Sequence, residues 1–177
     1  QKAIEARPNF TAASKALGLQ LELEGLVTEA VAIYQDALAS DGGDLELVQK
    51  LVNLSLVLEN YKLALEYLTQ YLEINPEDMQ NQMRAALIYF KLKQLDEAEE
   101  KFLTLIEKDF STRDRSSYYL GALYEEQEKY EKSVEYYKQV PAPSDYFIES
   151  RLELSRIQNA HLGKYDEAIR SLNEAIA

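Results

Sequence analysis

Apolar side chains recur along the chain at three- and four-residue steps, as in Leu47, Leu51, Leu54 and Leu58, a spacing that gathers them on one face of a helix. Val and Ile are scattered singly, without strict alternation, so almost nothing reads as a strand. Punctuation falls at short, regular intervals. Gly25, Asn60, Gln94 and Lys129 each stand just before an apolar residue, an acidic or polar step, and then an Ala or Ser, and Gly163 stands one residue further back from the same pattern at Tyr165-Asp166-Glu167-Ala168. The pattern predicts first helices over about 11–24, 44–58, 77–91, 113–127 and 145–161. Their partners are expected over about 26–40, 61–74, 95–108, 130–140 and 164–176. Residues 1–6 read as the tail of an earlier second helix.

The small residues Ala30, Ala64, Ala98, Ser133 and Ala168 follow one another at steps of 34, 34, 35 and 35. Four residues beyond each comes a large one: Tyr34, Leu68, Phe102, Tyr137 and Leu172. Seven beyond come Ala37, Tyr71, Leu105, Val140 and Ala175. The first helix of two units carries a Leu-Gly step, Leu17-Gly18 and Leu120-Gly121, and Leu21 and Tyr124 lie three residues past it. Ser55 and Tyr89 hold the matching places elsewhere. Such a period means a repeat built from two helices. Small residues let antiparallel helices approach closely, and the large residue beside them fills the remaining gap. One helix pair cannot bury both of its faces, so the units must stack. Pro8 and Pro76 close units. Ile74-Asn75-Pro76-Glu77-Asp78 reads as a helix stop followed by a cap with Pro in the first turn, and Ser144-Asp145 reads as a second cap.

These residues resemble the tetratricopeptide repeat family, whose units carry Leu-Gly and then Tyr in the first helix, an inter-helix Gly before an aromatic, and Ala, Phe and Ala in the second. The resemblance implies an all-α fold, a right-handed α-solenoid of about five antiparallel helix pairs. It divides the chain into a single array: the tail of a preceding repeat (1–10), repeats at 11–44, 45–78, 79–113 and 114–148, and a truncated, divergent fifth at 149–177. The chain then reads as a piece of a longer array. In the fifth unit Ser155, Arg156 and Asn159 stand where Leu-Gly and Tyr belong, and a one-residue insertion near Gln158 to His161 would bring Leu154-Ser155 into place.

Composition narrows the chemistry. The 177 residues are 46% hydrophobic, enough for a core, and contain no Cys and one His. That excludes a disulfide framework, a thiolate nucleophile and a multi-histidine metal centre. His161 reads as a solvated cation at a helix end. Acidic runs such as Asp96-Glu97-Glu99-Glu100 and Glu125-Glu126-Glu128 lack calcium-loop spacing, and no Gly-x-Gly cradles a phosphate. No cofactor, metal or catalytic site is expected. Of the 13 Tyr, Tyr34, Tyr137, Tyr89, Tyr124, Tyr61, Tyr130 and Tyr165 are explained as core, while Tyr118 is not absorbed.

What remains is binding. In the resembled family the first helices line a concave face that holds partner segments. By register, the residues placed there are Lys15, Leu19 and Leu23, then Gln49, Asn53 and Leu56, then Met83, Leu87 and Phe90, and finally Arg115, Tyr118, Ala122 and Glu125. The family's clamp for chaperone tails is not completed, because Leu19 and Gln49 replace the Asn and Lys it requires. Net charge is -12, with -4 in each of residues 1–44 and 45–78 and zero over 79–113. The expected partner is therefore a protein or peptide, and the acidity favours a basic one. Nucleic acid is not expected, since an acidic chain repels phosphates. No apolar run approaches the roughly 18 residues of a membrane span, so no direct insertion is expected. A scaffold or adaptor is the leading reading. A self-associating structural subunit and the regulatory region of a longer enzyme are the alternatives. Lack of Cys fits the cytoplasm, the default expectation, and the cell envelope alike.

Overall fold

The computed structural model describes residues 8–40 and 43–176. Among them are ten α-helices: α1 (Pro8–Leu23), α2 (Val27–Ser40), α3 (Leu45–Val57), α4 (Tyr61–Ile74), α5 (Met79–Lys91), α6 (Leu95–Lys108), α7 (Arg113–Glu126), α8 (Tyr130–Lys138), α9 (Phe147–Ala160) and α10 (Tyr165–Ile176). No strand occurs among the described residues. A single 3-10 turn, Phe110–Thr112, precedes α7. The chain divides into two compact units at Asn81 and Gln82, within α5. In the first unit α1 packs on α2, α2 on α3 and α3 on α4; in the second, α6 through α10 pack in chain order. This is the all-α stack of helix pairs expected from the periodicity.

The turns inside the helix pairs share one device. Gly25, Glu59, Lys93, Glu128 and Gly163 all have positive φ, between 53° and 76°, and each sits two residues before a second helix. In the first four turns the N–H after this residue reaches back five residues: Leu26 to Leu21, Asn60 to Ser55, Gln94 to Tyr89 and Lys129 to Tyr124, at 2.8–3.0 Å. That closes the preceding helix with a left-handed residue. Three of the five are not glycine, so the pattern's punctuation at Asn60, Gln94 and Lys129 marked the residue after the turn.

The large and small columns interlock as expected through the first four units, where Tyr34, Leu68, Phe102 and Tyr137 are buried, whereas Leu172 of the fifth is 43% exposed. A Cβ added to Gly18 would meet the Tyr34 ring at 2.3 Å, and one on Gly121 would meet Tyr137 at 2.7 Å. The Leu-Gly step thus exists to seat a tyrosine. Ser133, in the small column, adds a buried bond from its hydroxyl to the Gly121 carbonyl, 2.7 Å. In α9 it is Leu154 and Ser155 that are buried, while Arg156 and Asn159 are exposed. The fifth unit therefore keeps the register, with one extra residue in its turn, where the Lys164 N–H bonds to the Gln158 carbonyl at 2.7 Å. Arg151 stands there in the column of Ser14, Val48, Gln82 and Ser117. Its buried guanidinium donates to the Tyr137 and Val140 carbonyls (3.0 and 3.2 Å) and to Glu174 (2.6 Å), and lies over Phe147 at 4.4 Å.

Four expectations need adjustment. The helix expected at residue 11 begins at Pro8, where a missing N–H costs nothing; residues 1–6 lie outside the described residues. Pro76 and Glu77 precede α5 rather than open it, and Asp78 is the residue whose carboxylate accepts from the Asn81 N–H, at 3.0 Å. Ser144 lies in the turn before α9, its hydroxyl accepting from the Tyr146 N–H and its carbonyl, not its side chain, from the Phe147 N–H that opens the helix. Tyr165 is 65% exposed rather than core, as are its neighbours on the α10 face, Ile169 and Ile176. In α8 the matching face is covered by α9, and no described helix covers the one on α10.

Candidate functional site

In the first unit Lys15 and Leu19 of α1 line a small pocket with Ala16, Tyr34, Glu46, Leu47 and Lys50. Its charges are internally matched. Lys15 sits 2.7 Å from Asp44 and 2.5 Å from Glu46, and Lys50 sits 2.7 Å from Glu22. Tyr34 donates its hydroxyl to the same Glu22 carboxylate, 2.5 Å. Burial alone would raise the Glu22 pKa, but the bonds from Lys50 and Tyr34 outweigh it and hold the carboxyl below its ordinary range. Burial and that carboxylate push the Tyr34 hydroxyl well up. Asp44 caps α3, accepting from the Glu46 and Leu47 N–H groups, so one carboxylate both starts the helix and anchors Lys15. Gln49 and Leu56 are half-buried and Asn53 is exposed on α3.

In the second unit Phe90 of α5, Tyr118, Ala122, Glu125 and Glu126 of α7, Tyr137 of α8, and Glu153 and Arg156 of α9 line one open cleft of about 370 Å³. Three of the four helices are first helices, so side chains from successive units converge there. Tyr118 anchors an aromatic cluster, its ring centre 5.2 Å from Tyr119, 5.8 Å from Tyr137 and 5.2 Å from Tyr146. Arg156 bridges two walls, its Nη2 on Glu125 and its Nε 2.7 Å from Glu153. Glu126 pairs with Lys93 at 2.7 Å. Burial pushes the Tyr118 and Tyr137 hydroxyls above their usual range, reinforced by Glu153 at both rings and by Glu125 at Tyr137.

Of the groove residues expected from register, Phe90, Tyr118, Ala122 and Glu125 meet in this cleft, and Lys15 and Leu19 meet in the first. Leu87 is half-buried. Arg115 lies with its Cζ 6.0 Å from the Tyr119 ring centre, and its Nε is buried without a partner. Met83 does not belong with them: at 1% exposure it is core. It shares a column with Lys15 and Tyr118, but a flexible thioether gains by tucking inward where a charged or phenolic tip keeps to the cleft. Lys50, Glu153 and Arg156 were not singled out from the sequence. Their signal was the repeat itself, since Glu153 lies at the place of Lys50 once Leu154-Ser155 is taken as the Leu-Gly step. His161 ends α9 and stacks on Tyr130, ring centres 4.0 Å apart. Among the described residues no group of three or more His, Asp or Glu could hold a metal ion, and no helix is long and apolar enough to cross a membrane.

Two family profiles, both for the tetratricopeptide repeat, match residues 50–111 and 115–142. Together they span just over half of the sequence, and the chain belongs to the tetratricopeptide repeat family. No curated protein matches it. Solved structures do. A crystal structure of MamA protein superposes with a TM-score of 0.79 at 18% identity, over 96% of this chain and 91% of that one. MamA from Desulfovibrio magneticus RS-1, from residue 41 to its end, gives 0.75 at 16% identity, over 94% and 93%. YrrB, a TPR protein described as having an unusual peptide-binding site, gives 0.70 at 17%, over 98% and 86%. At these identities the likeness is one of fold.

Proposed function

We propose that the chain is a protein–protein interaction scaffold whose first helices dock a segment of a partner. The carrying observation is the second-unit cleft, to which α5, α7 and α9 each bring side chains. A cleft open to solvent, aromatic at its base and charged at its rim, suits a peptide side chain. The description of YrrB as peptide-binding supports the same use of the fold. Leu87, Phe90, Arg115 and Tyr118 form the docking surface of the second unit, and Lys15, Leu19, Gln49 and Asn53 that of the first.

Affinity capture with the wild-type chain, and with a Leu87→Ser/Phe90→Ser variant whose melting curve matches it, tests the surface. The variant is expected to lose the partner that the wild type retains. Equal recovery of the same partner by both chains would sink the assignment.

A further inference from the structure

The second-unit cleft differs in chemistry from its counterpart. In the register that aligns Gly18 with Gly121 and Tyr34 with Tyr137, Lys15 corresponds to Tyr118 and Lys50 to Glu153. The first pocket thus carries two ammonium groups of its own, each already seated on carboxylates. At the same two places the second unit holds an aromatic ring and a further carboxylate. Of its three carboxylates Glu126 is paired with Lys93, which leaves Glu125 and Glu153 to share a single cation, Arg156; the cleft encloses about 370 Å³ where the first encloses about 170 Å³.

Resting on the reading of this face as a docking surface, we propose that the cleft receives an arginine side chain of the partner, and that Arg156 is a built-in occupant of the same carboxylates. Arg156 demonstrates the fit. Its planar fork spans from Glu125 on α7 to Glu153 on α9, one nitrogen on each carboxylate. Tyr118 and Phe90 line the cleft, and the Phe90 ring already has a cation over it, the Lys93 ammonium at 5.8 Å from its centre; aromatic rings of this kind suit a guanidinium. The carboxylates also dominate the local field, since Glu125 and Glu153 raise the buried Tyr137 hydroxyl more than Arg156 lowers it. An incoming guanidinium stacks on Tyr118 and takes the carboxylate oxygens as Arg156 swings toward solvent, where its side chain is already about half exposed.

The isotope-labelled chain, titrated with N-acetyl-arginine methylamide and with the citrulline counterpart that keeps the shape but loses the charge, tests this by amide chemical shifts. Arginine is expected to give saturable shifts at Tyr118, Ala122, Glu125 and Glu153, and citrulline to bind at least about tenfold more weakly. Arg156→Ala frees the carboxylates and tightens arginine binding about three- to tenfold, whereas Glu153→Gln weakens it about tenfold. Equal shifts from both probes, or an arginine affinity that ignores both substitutions, overturn the proposal. The probes need no natural partner. A cleft that ignores arginine while Leu87→Ser/Phe90→Ser still loses its partner removes this proposal and leaves the docking surface standing.

Discussion

Gly121→Val is expected to destabilise the fold chiefly through one ring. A Cβ at position 121 would stand 2.7–2.8 Å from Cδ1, Cε1 and Cγ of Tyr137. Carbon atoms prefer about 3.5–4.0 Å, so the ring would have to retreat by about 1 Å. It has nowhere to go: Tyr137 is 1% exposed and held in a cluster with Val134, Leu154, Ile157 and Tyr118. Overpacking of this kind costs about 1–3 kcal/mol, against a helix-propensity gain of a few tenths from replacing glycine. Tyr137→Leu alone leaves a void and costs about 2 kcal/mol. The chain already contains the compensated pair, since Val52 and Leu68 hold the same two columns and both are fully buried. The double variant Gly121→Val/Tyr137→Leu should therefore lose about 2 kcal/mol less than the two singles together. Urea unfolding followed by helical circular dichroism measures this. Midpoints and slopes should both be compared, because stacked repeats can unfold in parts. Additivity to within about 0.5 kcal/mol would refute the claim that these columns interlock.

Arg151→Ala strands the Val140 carbonyl and leaves the Tyr137 carbonyl with only the Val140 N–H at 3.3 Å, and should cost about 2–4 kcal/mol in the same assay, with Arg151→Lys recovering less than half for want of a fork. Glu128→Gly relieves a left-handed residue at φ 57° and is expected to add about 0.5–1 kcal/mol, seen as a melting point about 1–4 °C higher. Val134→Lys and Ile169→Lys change the same column. The first, at 6% exposure, should cost at least about 2 kcal/mol and the second, at 58%, less than about 0.5, as read from melting curves. Burial would raise the Asp78 pKa, but bonds from Asn81, Tyr71 and Gln80 prevail and depress it below its ordinary 3.8. Its stabilisation is thus present above the unfolded-state value and lost as the pH falls through the lower folded one, so Asp78→Asn should flatten the acid limb of a stability-against-pH curve.

Helix pairs were legible because buried residues repeat at fixed steps, and those steps survive whatever decorates the surface. The turn residues Glu59, Lys93 and Glu128 were not, since only glycine advertises a left-handed conformation and the fold imposes it here on charged side chains. The cleft was half legible. Phe90, Tyr118, Ala122 and Glu125 follow from the column, but Glu153 and Arg156 look like ordinary solvated charges until the register of the fifth unit is fixed by which of its residues are buried. Met83 shows the limit in the other direction. A column names a position, and the side chain decides whether that position faces the cleft or fills the interior.

The steps of 34, 34, 35 and 35 conceal two added residues. One is taken up where the 3-10 turn Phe110–Thr112 leads into α7, the other in the turn between α9 and α10. Neither shifts the phase of the buried columns on its far side, because Gly121, Tyr137, Leu154 and Ala168 all remain buried. Register is thus kept by contact, not by counting. The two joints mark where a short foreign loop, such as an epitope or a reporter, could be grafted without carrying an error into the helices beyond it.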